Sequence, residues 1–168
     1  KNMKKYLESF TTKKCSCGKT HVVEIPEIII ENGAINKISN LFCKYGVKKA
    51  FVLADVNTFA VAGSQVCNQL QNNGIEYSNF VFNSNRLEPD ETSINSALEN
   101  YDNSCNLVIA VGSGVINDIG KIVSHKANVP YFIVATAPSM DGYASATSSV
   151  SLGGLKTSLP SKCANVII

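Results

Sequence analysis

The chain has 168 residues, with 15 basic and 13 acidic side chains, a net charge of +2, 45% hydrophobic residues and 17% charged ones. This is the size and texture of one globular domain with a real core, and it excludes a disordered chain. No apolar run reaches the roughly 18–20 residues that cross a bilayer. The basic residues, 14 Lys and a single Arg, make no nucleic-acid footprint, and Lys1 to Phe10 lacks a signal-peptide stretch, so a soluble cytoplasmic protein is expected.

The first feature in chain order is Cys15-Ser16-Cys17-Gly18-Lys19-Thr20-His21. Two thiols and an imidazole are zinc-type ligands, but a closed structural site takes four, and no fourth is near. The other cysteines, Cys43, Cys67, Cys105 and Cys163, fall singly in apolar or helical segments and are expected to be reduced, small hydrophobes.

Short apolar runs follow at Glu27–Glu31, Ala50–Ala54, Phe80–Phe82, Leu107–Val111 and Tyr131–Ala135. Several are continuous rather than alternating, as strands buried on both faces of a parallel sheet are. Helical stripes lie between them. Ile35, Ile38, Leu41, Phe42 and Tyr45 end at Gly46. Phe59, Ala62, Val66 and Leu70 end at Asn73-Gly74. Ile94, Ala97, Leu98 and Tyr101 start after Pro89-Asp90-Glu91. Ile116, Ile119, Ile122 and Val123 form the last stripe. The alternation predicts an α/β domain, doubly wound, with a mostly parallel sheet and helices on both faces. Gly153-Gly154 then predicts a small hairpin, and Ala164–Ile168 reads as a further strand. A buried strand at the end of the chain reads as one domain of a longer protein.

Three places carry candidate chemistry. Val111-Gly112-Ser113-Gly114-Val115-Ile116-Asn117-Asp118 leaves a buried strand and opens a helix, where bare backbone N–H groups bind phosphate oxygens. It is neither the G-x-G-x-x-G fingerprint nor a Walker loop. Asp118 is expected in the first helical turn, either as a charge favouring the dipole or as an acceptor that fixes loop or ligand. Asp55 ends a strand, where open α/β sheets place their ligands, and an acid there accepts both hydroxyls of an adenosine ribose. It would also repel a 2′-phosphate, by roughly 1 kcal/mol in water and about 4 at an effective dielectric of 20 for charges about 4 Å apart, which favours NAD over NADP. The competing reading of Asp55 is a helix N-cap. Here the acid precedes the glycine loop, the reverse of the usual dinucleotide order. The third place is Thr136-Ala137-Pro138-Ser139-Met140-Asp141-Gly142-Tyr143-Ala144-Ser145, a run of small hydroxyl residues that wraps a nicotinamide or phosphate without bulk, or forms an Asp-stabilised turn. His21 and His125 have no acid and nucleophile at triad spacing, and no catalytic residue is assigned.

Gly112 to Asp118, Pro130-Tyr131 and Thr136 to Ser145 together closely resemble the sn-glycerol-1-phosphate dehydrogenase family. Its bacterial branch also resembles the Cys15-Ser16-Cys17-Gly18 and His21 segment. That family sits with glycerol dehydrogenases, iron-containing alcohol dehydrogenases and dehydroquinate synthases. The resemblance runs from about Cys15 to Val166 and is sharp at the two loops and at Asp55. It implies a Rossmann-like cofactor domain over residues 1–168. Asp55 would hold the ribose. Gly112, Ser113, Gly114, Val115, Ile116, Asn117 and Asp118 would cradle the pyrophosphate. Thr136, Ala137, Pro138, Ser139 and Ser145 would line the NAD or NADP, and Asp141 would contact substrate. It also implies a zinc or nickel ion whose Asp and His ligands lie in a helical C-terminal domain absent from this sequence, so this part alone should not catalyse. The implied reaction is reduction of dihydroxyacetone phosphate to sn-glycerol 1-phosphate by a homo-oligomer. Glycerol and other polyols stay open as substrates. Two other readings stand beside it: a lipid-kinase-like nucleotide loop, although those carry an acid where this chain has Ser113, and a non-catalytic nucleotide-binding module.

Overall fold

The computed structural model describes residues 15–19, 25–84 and 86–168. Its centre is a six-stranded sheet built from β1 (Glu27–Ile28), β2 (Lys49–Asp55), β3 (Glu76–Phe82), β4 (Leu107–Gly112), β5 (Tyr131–Ala135) and β8 (Val166–Ile167). The strand order is β1-β8-β5-β4-β2-β3, and every pairing is parallel. All six residues of β4 are buried, as are five of the seven in β2. This is why those runs are apolar without alternation: each face meets a helix layer.

Helices α1 (Ile38–Lys44) and α2 (Ser64–Asn72) cover one face, packing Ile38, Leu41, Val66 and Leu70 on Val52, Ala54, Ile109 and Val111. Helices α3 (Glu91–Glu99) and α4 (Gly114–Ala127) cover the other, packing Ile94, Ala97, Ile116 and Ile119 on Phe51, Leu53, Val108 and Ala110. The predicted stops hold: Gly46 and Gly74 have φ of 59° and 67°, the left-handed backbone that glycine adopts without cost. Asp90 caps α3 by accepting from Ser93 N–H at 2.8 Å.

The stripe that begins at Phe59 is not one regular helix. Val56–Thr58 opens as a short α-turn, Phe59–Gly63 widens into a π-helical turn, and α2 follows. The hairpin is present as β6 (Thr147–Leu152) and β7 (Leu155–Pro160), antiparallel across Gly153 and Gly154, both with positive φ. It lies on the α3–α4 side, where Val150 joins the core and Ser151 N–H reaches Pro89 O.

Several expectations change. The first strand is confined to Glu27–Ile28, because Ile30 already faces solvent at 76% exposure and the chain turns at Gly33 with φ 73°. Asp118 lies beyond the first turn of α4, which holds no acid, because the helix begins at Gly114. Of the four cysteines expected to behave as small hydrophobes, Cys67 and Cys105 are buried, whereas Cys43 is exposed and Cys163 half-buried. Cys15 and Cys17 stand in a tight turn closed by Gly18 N–H to Cys15 O at 2.9 Å, while His21 lies outside the described residues.

Candidate functional site

Strand β2 is the switch point of the sheet. The chain leaves it towards β3 on one side, and β4 lies on the other. Ala54 pairs with Val111, so Asp55 and Gly112 are the next residues at the carboxyl ends of two neighbouring strands. The helices that follow leave to opposite faces, α2 to one and α4 to the other. A crevice opens where they diverge, the usual ligand position in open α/β sheets.

Asp55 is a helix cap. Its Oδ1 accepts from Asn57 N–H and Thr58 N–H, both at 2.9 Å, and Thr58 Oγ1 accepts from Asp55 N–H at 3.1 Å. This reciprocal capping box spends one carboxylate oxygen. A cap and a ligand contact are therefore compatible, since Oδ2 takes no part in the box.

The glycine loop separates into structural and open positions. A Cβ on Gly112 would stand 2.5 Å from Ile116 Cβ, so packing inside the protein demands glycine there. A Cβ on Gly120 would meet Ala110 Cβ at 2.8 Å and Tyr131 Cε2 at 2.9 Å, so the close approach of α4 to the sheet demands it as well. Gly114 is different. Its φ is not in the left-handed range, and the nearest atoms to a Cβ would be those of the Met140 side chain, at an ordinary 3.6 Å and beyond. Among the described residues neither backbone angle nor packing requires glycine at the first residue of α4, yet its absent side chain keeps the helix start bare. The backbone ladder of α4 begins with Asn117 N–H to Ser113 O at 2.9 Å, ahead of which come the amides of Gly114, Val115 and Ile116. Ser113, the N-cap, supplies no side-chain bond to them. These are donors aimed outward from the positive end of a 14-residue helix, and they fit a diphosphate.

Asn117 has a different part. It is fully buried, its Nδ2 donating to Gly142 O at 3.2 Å and its Oδ1 accepting from Tyr131 Oη at 3.1 Å. Ile116 is buried as well. Asp118 is partly buried and pairs at 3.6 Å with Lys121, whose side chain is wholly enclosed. Burial raises the Asp118 pKa and lowers that of Lys121, each opposed by the charge of the other.

The third loop is pinned beside the first. Thr136 N–H donates to Gly112 O at 3.2 Å. Tyr143, also buried, donates to Gly112 O at 3.3 Å and to Ala137 O at 3.2 Å, and accepts from Ala137 N–H at 3.3 Å. Asp141 is exposed and makes no capping bond to the 3-10 turn Gly142–Ala144 that it precedes. Ser145 Oγ is engaged locally, accepting from Thr147 N–H at 3.1 Å.

Two hollows flank this assembly. One, of about 640 Å³, is lined by Thr136, Pro138, Met140 and Tyr143 together with the apolar Ile30 and Val61. The other, of about 380 Å³, is lined by Gly114, Val115 and Asp118 opposite Ser149, Ser151 and Lys156 of the hairpin. The structure thus brings Gly114, Val115 and Asp118 to one side and Thr136 and Pro138 to the other, with Met140 between them. Asp55, Ser139, Asp141 and Ser145 line neither hollow. Sequence reasoning missed Lys121 and Tyr143. For Lys121 the signal was a lone cation inside Ile119-Gly120-Lys121-Ile122-Val123; Tyr143 had none. Among the described residues no three His, Cys, Asp or Glu side chains gather as a metal site. No described helix is long and apolar enough to cross a membrane.

Residues 29–168 match the family model described as iron-containing alcohol dehydrogenase. The chain belongs to the iron-containing alcohol dehydrogenase family. It is 31% identical over 150 residues to glycerol-1-phosphate dehydrogenase [NAD(P)+] of Geobacillus thermodenitrificans, covering 88% of this chain and 37% of that one. It is 30% identical over 146 residues to the protein of the same name from Pyrococcus furiosus, covering 84% and 40%. Among solved structures it matches glycerol dehydrogenase from Schizosaccharomyces pombe with a TM-score of 0.76 at 23% identity, over 85% of this chain and 36% of that one. NADH-dependent butanol dehydrogenase A from Thermotoga maritima matches with a TM-score of 0.75 at 20% identity, over 89% and 44%. The chain thus spans under half the length of these relatives, and the structural matches establish the fold alone.

Proposed function

We propose that the chain is the nicotinamide-dinucleotide-binding part of an oxidoreductase that reduces dihydroxyacetone phosphate to sn-glycerol 1-phosphate. The observation that carries the cofactor half is the bare start of α4 at Gly114, one strand away from Asp55 at the switch point. The substrate half is supported by the similarity to two glycerol-1-phosphate dehydrogenases [NAD(P)+], from Geobacillus thermodenitrificans and Pyrococcus furiosus.

In this reading the amides of Gly114, Val115 and Ile116 hold the diphosphate, with Gly112 and Ser113 setting their direction. Asn117 and Asp118 brace the helix start from behind and beside. Asp55 keeps Oδ1 on its own amides and offers Oδ2 to the ribose hydroxyls. Thr136, Ala137, Pro138 and Ser139 shape the wall for the flat rings, Ser145 reaches the cofactor edge, and Asp141, exposed and uncommitted to its own turn, meets the substrate. The bound nicotinamide would supply the hydride to the ketone. A metal ion held by residues outside this chain would polarise that carbonyl, as metals do in carbonyl reduction. The protein's task here is orientation and exclusion of water.

A glycerol or polyol dehydrogenase is the second reading, favoured by the match to glycerol dehydrogenase 1 of Schizosaccharomyces pombe, 29% identical over 109 residues. The test is initial rates of the full-length protein, metal-loaded, with dihydroxyacetone phosphate and NADH or NADPH against glycerol and NAD. Reduction of the phosphorylated ketone at least tenfold faster supports the first reading. Turnover of glycerol alone supports the second, and no turnover of either removes both.

A further inference from the structure

Lys121 is an expensive residue. Its side chain is fully enclosed, and enclosing an ammonium costs far more than enclosing a Met or Leu of similar volume. Packing α4 against the sheet does not need that charge. The Nζ atom donates to two acceptors, Gly142 O at 2.9 Å and Thr147 O at 3.0 Å, and stands 3.6 Å from Asp118 Oδ1 as an ion pair. The ammonium thus makes two hydrogen bonds to main-chain carbonyls and is balanced in charge by Asp118. The two carbonyls belong to the loop and to the first residue of β6, not to the helix. They bracket Tyr143 to Ala146, directly after Asp141, and include Ser145. Gly142 O also receives Asn117 Nδ2, so this one carbonyl is gripped by two side chains of α4.

The consequence is mechanical. The helix whose start is bare at Gly114 and the loop that carries Asp141 and Ser145 belong to separate crossover connections. Backbone bonding joins them only at the base, through Thr136 N–H to Gly112 O. Further along, the loop contains small residues and a short 3-10 turn, which set little conformation by themselves. Side chains supply the other ties: Tyr143 Oη to Gly112 O, Asn117 Nδ2 to Gly142 O, and Lys121, which alone of the three also reaches Thr147 O at the far end of the segment.

We propose that Lys121 is a positioning residue: it locks the Gly142–Thr147 segment to α4 and so fixes the separation between the diphosphate-facing helix start and the loop that meets nicotinamide and hydroxyketone. This rests on the function proposed above. The residue itself touches neither ligand, since its side chain is wholly enclosed.

The test is a double-variant cycle in the full-length protein, with NADH affinity read by fluorescence titration, KM for dihydroxyacetone phosphate by initial rates, and Tm alongside. Lys121→Met should weaken NADH binding at least tenfold and raise that KM, with Tm also falling. Lys121→Arg, whose planar fork still reaches two carbonyls, should keep NADH affinity within threefold of the parent. The decisive pair is Asp118→Asn against Asp118→Asn/Lys121→Met. The double variant leaves no unmatched buried charge, so its Tm should match or exceed that of Asp118→Asn while its NADH affinity falls a further tenfold. An affinity equal to that of Asp118→Asn alone would overturn the proposal, reducing Lys121 to a counter-charge. A parent protein that binds no NADH would instead remove the function on which the proposal rests.

Discussion

The two glycines of the loop make opposite predictions. In Gly112→Ala the new Cβ falls 2.5 Å from Ile116 Cβ and 2.9 Å from both Ile116 γ-carbons. Those atoms are branched at the backbone and Ile116 is 1% exposed, so no flexible end can swing away. Either β4 or the first turn of α4 must shift, which is overpacking at the usual cost of about 1–3 kcal/mol. In Gly114→Ala the nearest neighbour is the flexible Met140 side chain, at an ordinary 3.6 Å, and the backbone is already helical. Removing glycine entropy from the unfolded chain then gains about 0.4–1 kcal/mol. For a domain of this length 1 kcal/mol moves Tm by about 2–4 °C. Gly112→Ala should therefore lose about 2–12 °C, and Gly114→Ala should lose none and gain a few degrees. NADH binding should invert the order of concern: the Gly114→Ala methyl stands beside the amides that face the diphosphate, so affinity should fall at least tenfold despite the higher Tm. Differential scanning calorimetry and NADH fluorescence titration read both quantities. If Gly114→Ala binds NADH as tightly as the parent, the helix start is not a diphosphate site. If Gly112→Ala melts at the parent temperature, the packing argument for Gly112 is wrong.

Asp55→Asn keeps an oxygen that caps as well as Asp does, so Tm should hold while the NADP-to-NAD affinity ratio rises about fivefold or more, given the like-charge repulsion of roughly 1 kcal/mol or above; Asp55→Ala should change the ratio and also lose about 1 kcal/mol of stability. An unchanged ratio in Asp55→Asn would leave Asp55 as a cap alone. Asp90→Ala should cost about 1 kcal/mol at neutral pH through loss of the α3 cap. The Ser93 amide holds the Asp90 carboxyl below the usual range, so this contribution is fully present above the unfolded carboxylate pKa of about 3.9 and is lost as pH falls through the lower folded value. The stability difference between parent and variant in urea melts should thus be full at pH 7 and shrink as the pH is taken below about 3.9; a constant difference would show that the charge plays no part. Asn106→Ala should lose about 1–3 kcal/mol, because Oδ1 accepts from Lys48 and Lys49 N–H at 2.9 and 3.2 Å and Nδ2 donates to Gly46 O at 2.8 Å. Its NADH affinity should be unchanged, since it sits at the amino end of the sheet; a loss of affinity at an unchanged Tm would contradict that placement.

Periodicity made the layers legible. The runs at Ala50–Ala54, Leu107–Val111 and Tyr131–Ala135 became the buried strands β2, β4 and β5 because continuous apolar sequence has no solvent face to offer. The stops at Gly46 and Gly74, the start at Asp90 and the turn at Gly153-Gly154 rest on local backbone chemistry, which a few residues encode. The π-helical turn at Phe59–Gly63 was not legible, since the apolar stripe keeps a helical spacing across it. Asp55 carried two readings in the sequence, cap and ligand acceptor. The structure shows the cap and leaves one oxygen outside it, a distinction no spacing conveys.

What belongs to the sequence alone is the family of loops: a glycine turn after a buried strand, an acid at a strand end, and the Thr136–Ser145 run. These are contiguous, and contiguous residues report their own backbone needs. The tertiary structure decided which strands are neighbours, placing β8 between β5 and β1 and bringing Asp55 level with Gly112. It also decided that Gly112 and Gly120 serve packing while Gly114 keeps a surface bare, and that Lys121 and Tyr143 bind two crossover loops into one wall. The physical reason is range. Propensity and periodicity act within a few residues, whereas a clash with Ile116, or a lysine reaching a carbonyl 21 positions away, exists only once separate segments have been packed together.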